Sequence, residues 1–414
     1  MTQKSIIGMQ VHFLNELLDE GIEKAINAMI ERGGVNTLML LTNIDHISTH
    51  RWGALTHNPR GRRSLTASGF TYEPHLEYYT KTKIKPFKMQ DKELKGVNVF
   101  PSMIDAAKAR GMETYAFIIH RFPFYEKFSE CQMVDVMGRM VQGVLCYNNP
   151  DVRNLYFGMV EDLLRSYDFD GIFLDLFDHF VQFGFRTLTD EMADAFGFTA
   201  LPKPEMGLTC FCKHCVEKAR AQGIDIEAIR KGLLRGVSLG YIPGKVEKLT
   251  KAYEVFRFLV DIPEYLDWLR FRMKIHSELH AEIYSLAKSI DPSRKVALDI
   301  YSVSDSWKYA VDWKTIQEAC DWIKPMFYSG THPGTTFTPE RVYEGTIDAI
   351  AETGHKVGIA PGINACMVGP DEVGRSVTQA LSAGADGVVI SWDYALIPLE
   401  TMDAARKAIE NFRP

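Results

Sequence analysis

Asp175 ends the apolar run Gly171-Ile172-Phe173-Leu174 and is followed closely by Asp178 and His179. A carboxylate at the end of such a run stands where water is scarce, so burial and neighbouring charge can tune it for nucleophilic or acid/base work. Asp299 ends a second apolar run, Val296-Ala297-Leu298, and Asp393 follows a third, Val388-Val389-Ile390-Ser391. Two carboxylates converging on one ligand are what hydrolysis of a glycosidic bond requires: one protonates the departing oxygen while the other attacks the anomeric carbon or activates water. The plainer alternatives are that Asp175 caps a helix or pairs with an arginine, and that Asp178 only orients His179 or Arg121.

A second constellation is Cys210-Phe211-Cys212-Lys213-His214-Cys215. Three thiols this close can reach one tetrahedral zinc, given a fourth ligand from elsewhere. Cys131 is the expected fourth ligand, with Cys146 and His214 as alternatives; three reduced cysteines without metal is the competing reading. Three or four thiolates leave no open coordination position, so such a zinc is structural and no cofactor is expected for catalysis. A catalytic metal would need several His, Glu or Asp residues to converge. His12, His120, Asp175, Asp299 and Asp393 could do so, but the first strand carries Gln10-Val11-His12 where an H-x-H would serve. The basic run at 59–63, PRGRR, reads as a solvated loop cluster before it reads as an anion site.

These groups must be positioned by something, and the chain repeats one pattern: an amphipathic helix, a glycine or Asp-Gly stop, then a short apolar run ending in polar residues. It recurs at 33–43, 111–122, 169–180, 354–364 and 384–395, and the runs at 5–14, 294–303 and 320–330 bring the strands to eight. Glycine caps each helix, and continuous apolar runs suit parallel strands buried on both faces. Eight such units predict a (β/α)8 TIM barrel in the α/β class, with a doubly wound open sheet as the alternative. Against that alternative, FLNELLDEG stands where a dinucleotide fold needs its glycine-rich turn. The whole chain, 1–414, is read as one domain with large insertions at about 44–92 (after strand 2) and 181–262 (after strand 4, containing CFCKHC). A long helix is expected at 263–288.

In a barrel, polar residues at strand C-termini face the reaction centre. By strand these are Gln10 and His12, Asn43 and His46, His120 and Arg121, Asp175 with Asp178 and His179, Asp299, Lys324 and Tyr328, Asn364, and Trp392 with Asp393. Asp175, Asp299 and Asp178 are the catalytic candidates. Gln10, His12, Asn43, His120, Arg121, His179, Tyr328, Asn364, Trp392 and Asp393 are the candidate substrate contacts. Phe122, Phe180, Tyr301, Tyr328, Trp392 and Tyr394 add aromatic faces of the kind that stack on sugar C–H surfaces.

The 414 residues are 46% hydrophobic and 24% charged, enough for a large core, and the formal charge of −6 argues against a nucleic-acid partner. No apolar stretch reaches the ~18 residues of a membrane span. The N-terminus reads as a strand and not as a signal peptide, and seven cysteines without an export signal fit a reducing, cytoplasmic setting. A homo-oligomer is compatible with the chain.

The run at 146–180, in which Asn149-Pro150-Asp151-Val152-Arg153 leads into Gly171-Ile172-Phe173-Leu174-Asp175, resembles uncharacterised glycoside hydrolase-like barrels. The similarity extends to DWIKPMFYSG (321–330) and to GADGVVISWDYAL near the C-terminus. CFCKHC is similar to the cysteine motif with which family 42 β-galactosidases hold a structural zinc. Asp175 with His179 looks like the strand-4 nucleophile region of the α-amylase-like clan, although Phe173 stands where that clan has Arg, and Asp299 where it has a Glu acid. The resemblance implies a carbohydrate-active barrel with Asp175 as its catalytic carboxylate. The expected activity is therefore hydrolysis of a small glycoside or oligosaccharide. A metal-dependent sugar isomerase, epimerase or lyase, and a sugar-binding barrel without activity, are the alternatives.

Overall fold

The computed structural model describes residues 5–44, 69–89, 94, 96–120, 125–175, 209–239, 251–328, 338–366, 368–391 and 393–412. Eight parallel strand positions close into a barrel. They are β1 (Ile6–Val11), β2 (Thr37–Leu41), β3 (Glu113–Ile119), β4 (Gly171–Asp175), β5 (Lys295–Tyr301), β6 (Trp322–Phe327), β7 (Gly358–Ile359 and Gly362–Asn364) and β8 (Gly387–Ser391). Each pairs with its sequence neighbour, and β8 pairs back onto β1 in the register Ile6 to Gly387. The expected TIM barrel is the observed architecture. Strand 7 differs from the single run expected: it breaks at Ala360–Pro361, where proline has no N–H to give to the ladder.

Local chemistry explains the helices between strands. The helix Pro150–Ser166 starts with proline at a position whose N–H would be unpaired anyway, and the Asn149 side chain accepts the N–H of Asp151 at 2.9 Å. Thr338 caps Pro339–Thr353 in the same way, and that helix stops at Gly354 in the left-handed conformation. The long helix expected at 263–288 is found as Glu264–Ile290. Arg153 ties it to Pro150–Ser166 through Glu282 at 2.5 Å. No helix among the described residues is long and apolar enough to cross a membrane.

Described parts of the two proposed insertions have definite places. In the first, His75 and Tyr79 both bond the buried carboxylate of Asp162, and the Tyr79 ring lies where a side chain at Gly158 would otherwise stand. This stretch therefore packs on the helix between β3 and β4. In the second, the helices Lys213–Ala221, Ile226–Ser238 and Ala252–Asp261 precede the long helix.

Side chains alternate inward and outward along every strand. Inward-facing Met39, Phe117, Phe173, Ala297, Trp322, Ala360 and Val389 fill the barrel with one apolar layer. Two residues further along their strands stand Asp175, Asp299, Lys324, Gly362 and Ser391, joined by Gln10 of β1. The same parity that buries the apolar layer thus delivers a polar layer above it, at the C-terminal ends of the strands.

Barrel closure depends on Gly387, because a Cβ built there would lie 1.8 Å from the carbonyl oxygen of Ile6. Gly387→Ala should separate β8 from β1 and cost roughly 3 kcal/mol or more. Thermal denaturation followed by circular dichroism should show a fall of several degrees in Tm; an unchanged Tm would refute this account of closure.

Candidate active site

Asp175 is the last residue of β4, and its carbonyl accepts the N–H of His120 at 3.3 Å, which stitches the ends of β3 and β4 together. Across the ladder it is in register with Asp299, which is in register with Lys324. Three ionisable side chains on consecutive strands therefore enter the barrel at one level.

Asp299 is the most enclosed of the carboxylates, 1% exposed against 7% for Asp175. Its Oδ2 accepts the Lys324 ammonium at 2.6 Å and the Gln10 amide at 3.5 Å, while Oδ1 is buried without a hydrogen-bond partner. Burial pushes the Asp299 carboxyl above the usual carboxylate range, and the neighbouring Lys324 and His12 act against that rise. Lys324 also bonds the hydroxyl of Tyr328. Gly362 makes room for it, since a Cβ there would come within 2.4 Å of the lysine Cε. Burial drives Tyr328 well above an ordinary phenol, with Asp299 and Asp175 adding to the effect, so it stays protonated. Ser391 donates to Gln10 at 3.1 Å and fixes that amide.

Asp393 sits beyond β8. Its Oδ1 accepts the backbone N–H of His12 at 2.9 Å, and its Oδ2 is buried without a hydrogen-bond partner. His120 bonds the Tyr156 hydroxyl through Nδ1 and meets the edge of Tyr147, with centroids 4.4 Å apart. Tyr301 and Tyr309 stack at 3.5 Å to form an aromatic slab beside Tyr328.

Other expected residues are used differently. The Asn43 amide donates to the carbonyl of Ile119 and accepts its N–H, so it fastens β2 to β3. Asn364 accepts the N–H of Cys366 in the turn after β7. Tyr394 donates to Glu20 of the helix Leu14–Glu20 and belongs to the wall between β8 and β1. His46, Arg121, Phe122, Asp178, His179, Phe180, Trp392 and the run 59–63 lie outside the described residues. Ser391 was not anticipated from the sequence, and Lys324 was read only as a strand-end residue with no role in the site. Inward parity was the available signal: Ser391 is two residues after Val389, and Lys324 two after Trp322.

The cysteine centre forms with one correction. The sulfurs of Cys146, Cys210, Cys212 and Cys215 all lie within 4.8 Å of one another, and those of Cys212 and Cys215 are each 3.4 Å from that of Cys146. Cys146, not Cys131, is the fourth member, and His214 is not part of the group. Both cysteines flank the hairpin formed by Gln132–Val134 and Met140–Leu145, where Cys146 donates its N–H to the carbonyl of Cys131. The Cys131 thiol instead lies by Asn149 and Lys83, and burial pushes it up to about 11. Tetrahedral zinc with ~2.3 Å Zn–S bonds sets sulfurs ~3.8 Å apart, so the four thiols fit such an ion. N–H groups converge on the sulfurs: Val134 on Cys210 at 3.3 Å, Asn148 on Cys215 at 3.3 Å, and the fully buried Arg272 on Cys215 at 3.5 Å. A buried guanidinium beside four thiols is the charge partner a thiolate–metal centre would want. Among the described residues this is the one place where three or more metal-ligating side chains meet.

No family model matches the chain, and no curated protein matches it in sequence. Solved structures do share its fold. The α-L-fucosidase isoenzyme 2 from Paenibacillus thiaminolyticus aligns at 15% identity and a TM-score of 0.54, over 99% of this chain and 50% of its own. A β-galactosidase from Rahnella sp. R3 aligns at 11% identity and 0.55, over 99% and 55%. Gan42B, a GH42 β-galactosidase from G. stearothermophilus, aligns at 10% identity and 0.51, over 100% and 58%. The chain thus spans about half the length of these enzymes, and what it shares with them is the barrel.

Proposed function

We propose that the chain is a glycoside hydrolase acting on a small glycoside or oligosaccharide, with Asp175 as nucleophile or base and Asp299 as its acid/base partner. The observation that carries this reading is the register: the two carboxylates leave adjacent strands at one level of the barrel mouth. Adjacent parallel strands run ~4.8 Å apart at the backbone, so the two residues are neighbours at the barrel mouth. The mechanism proposed is a retaining one, in which the two carboxyl groups stand ~5–5.5 Å apart. Asp175 attacks the anomeric carbon while Asp299, whose proton burial helps to retain, protonates the departing oxygen and then activates water. His12 and Asp393 supply imidazole and carboxylate groups for sugar hydroxyls, Gln10 holds Asp299 in place, and Tyr301 with Tyr309 offers an apolar face. Glycosidases among the structures that share the barrel favour this reading over a barrel without activity.

We also assign one structural zinc to Cys146, Cys210, Cys212 and Cys215. The seven cysteines form no disulfide, which supports a reducing, cytoplasmic setting.

Screening aryl glycosides and natural oligosaccharides tests the activity. On any substrate found, Asp299→Asn should lower kcat on the order of 10²- to 10⁴-fold, least with leaving groups that need no protonation. An equal loss on activated and unactivated glycosides would remove Asp299 from the acid role.

A further inference from the structure

Lys324 is out of place by ordinary rules. It stands third in the strand Trp322–Phe327, its side chain is inside the barrel, and none of it is exposed. A buried ammonium is costly unless it is paired and hydrogen-bonded. Here Asp299 lies at 2.6 Å, the Tyr328 hydroxyl completes the set, and the amine sits 4.8 Å from the centre of the Tyr328 ring and 5.9 Å from that of Phe173. Gly362 on the neighbouring strand leaves the volume that the amine occupies.

Its effect falls on one oxygen. Lys324 and Gln10 both donate to Oδ2 of Asp299, and Gln10 is itself held by Ser391, so the carboxyl group is pinned from β1 and β6 while Oδ1 stays unengaged. The groups facing Asp299 are Gln10 from β1 and His12 just after it, Asp175 from β4, and Lys324 and Tyr328 from β6 and its end. Of these only Lys324 places an amine nitrogen on it at salt-bridge distance, 2.6 Å. We propose that Lys324 is a positioning residue: its ammonium fixes the Asp299 carboxyl through Oδ2, leaves Oδ1 without a hydrogen bond of its own, and governs when that group holds a proton. The proposal rests on the acid/base role given to Asp299 above. Burial raises the Asp299 carboxyl and the adjacent Lys324 acts against that rise, which favours the ionised form that takes a proton back from water.

The test is carboxyl-carbon NMR titration of protein labelled with [4-13C]aspartate, the Asp299 signal being assigned by its loss in Asp299→Asn. In Lys324→Met the Asp299 midpoint should rise by about 1 to 3 pH units. With a substrate in hand, the alkaline limb of kcat/KM should move up with it. Gly362→Ala, which crowds the amine without removing its charge, should move both in the same direction by less, and it decides the matter if Lys324→Met does not fold. A midpoint that stays put or falls overturns the proposal. If the midpoint rises while neither wild type nor variant cleaves any glycoside, the positioning role stands and the glycosidase reading falls.

Discussion

Asp175→Asn should lower kcat on the order of 10⁴-fold while leaving affinity for substrate or product largely intact. Asparagine keeps the shape of the side chain, and the stitch between β3 and β4 runs through the backbone carbonyl of residue 175, which the substitution retains. The barrel should therefore fold, and isothermal titration should still detect ligand. What would be lost is the carboxylate proposed to attack, an interaction made only as the bond breaks. A comparable loss in affinity would make Asp175 a binding residue. Turnover unchanged by the substitution would move the chemistry elsewhere in the barrel.

Much of this site was legible before any coordinates. Parallel strands covered on both faces must read as apolar runs, which is why eight of them could be found and why the carboxylates at their ends stood out. Asp175 and Asp299 are adjacent because their strands are. Other features depended on facts that strand patterns do not carry. Cys131 and Cys146 flank the same hairpin, and spacing alone does not say which thiol turns toward Cys210, Cys212 and Cys215. Asn43 has the type and position of a ligand contact, yet the backbone of Ile119 engages both ends of its amide. Lys324 looked like one more strand-end residue; only the register with Asp299 and the absence of a side chain at Gly362 give it a task. The break in β7 was the reverse case, readable from Pro361 alone.

Removal of the zinc proposed for the cysteine centre should produce the largest loss of stability of any change considered. Elemental analysis of protein purified without chelator should find a single zinc per chain. Cys215→Ser should lose it and Cys131→Ser should keep it. Structural zinc binding is worth on the order of 10 kcal/mol in small zinc domains, and here the loss would also leave the buried Arg272 beside a cysteine cluster without its metal. Because Cys146 closes the hairpin after β3 and Cys210–Cys215 follow β4, the centre joins the two segments that flank Asp175. Activity should fall with metal content when a strong chelator is added, and thermal denaturation should show the melting transition moving down in parallel. Wild-type protein free of metal, as stable as the zinc-loaded form, would contradict the assignment.

If Asp175 attacks the sugar as proposed, a glycosyl group is held on it in ester linkage during turnover. Any glycoside found to be a substrate can be presented as its 2-deoxy-2-fluoro analogue with an activated leaving group, and the protein then digested and sequenced by mass spectrometry. The expected result is a glycosyl ester on Asp175; a label on another residue, or turnover that inverts the anomeric centre and leaves no label, would remove Asp175 from the nucleophile's role.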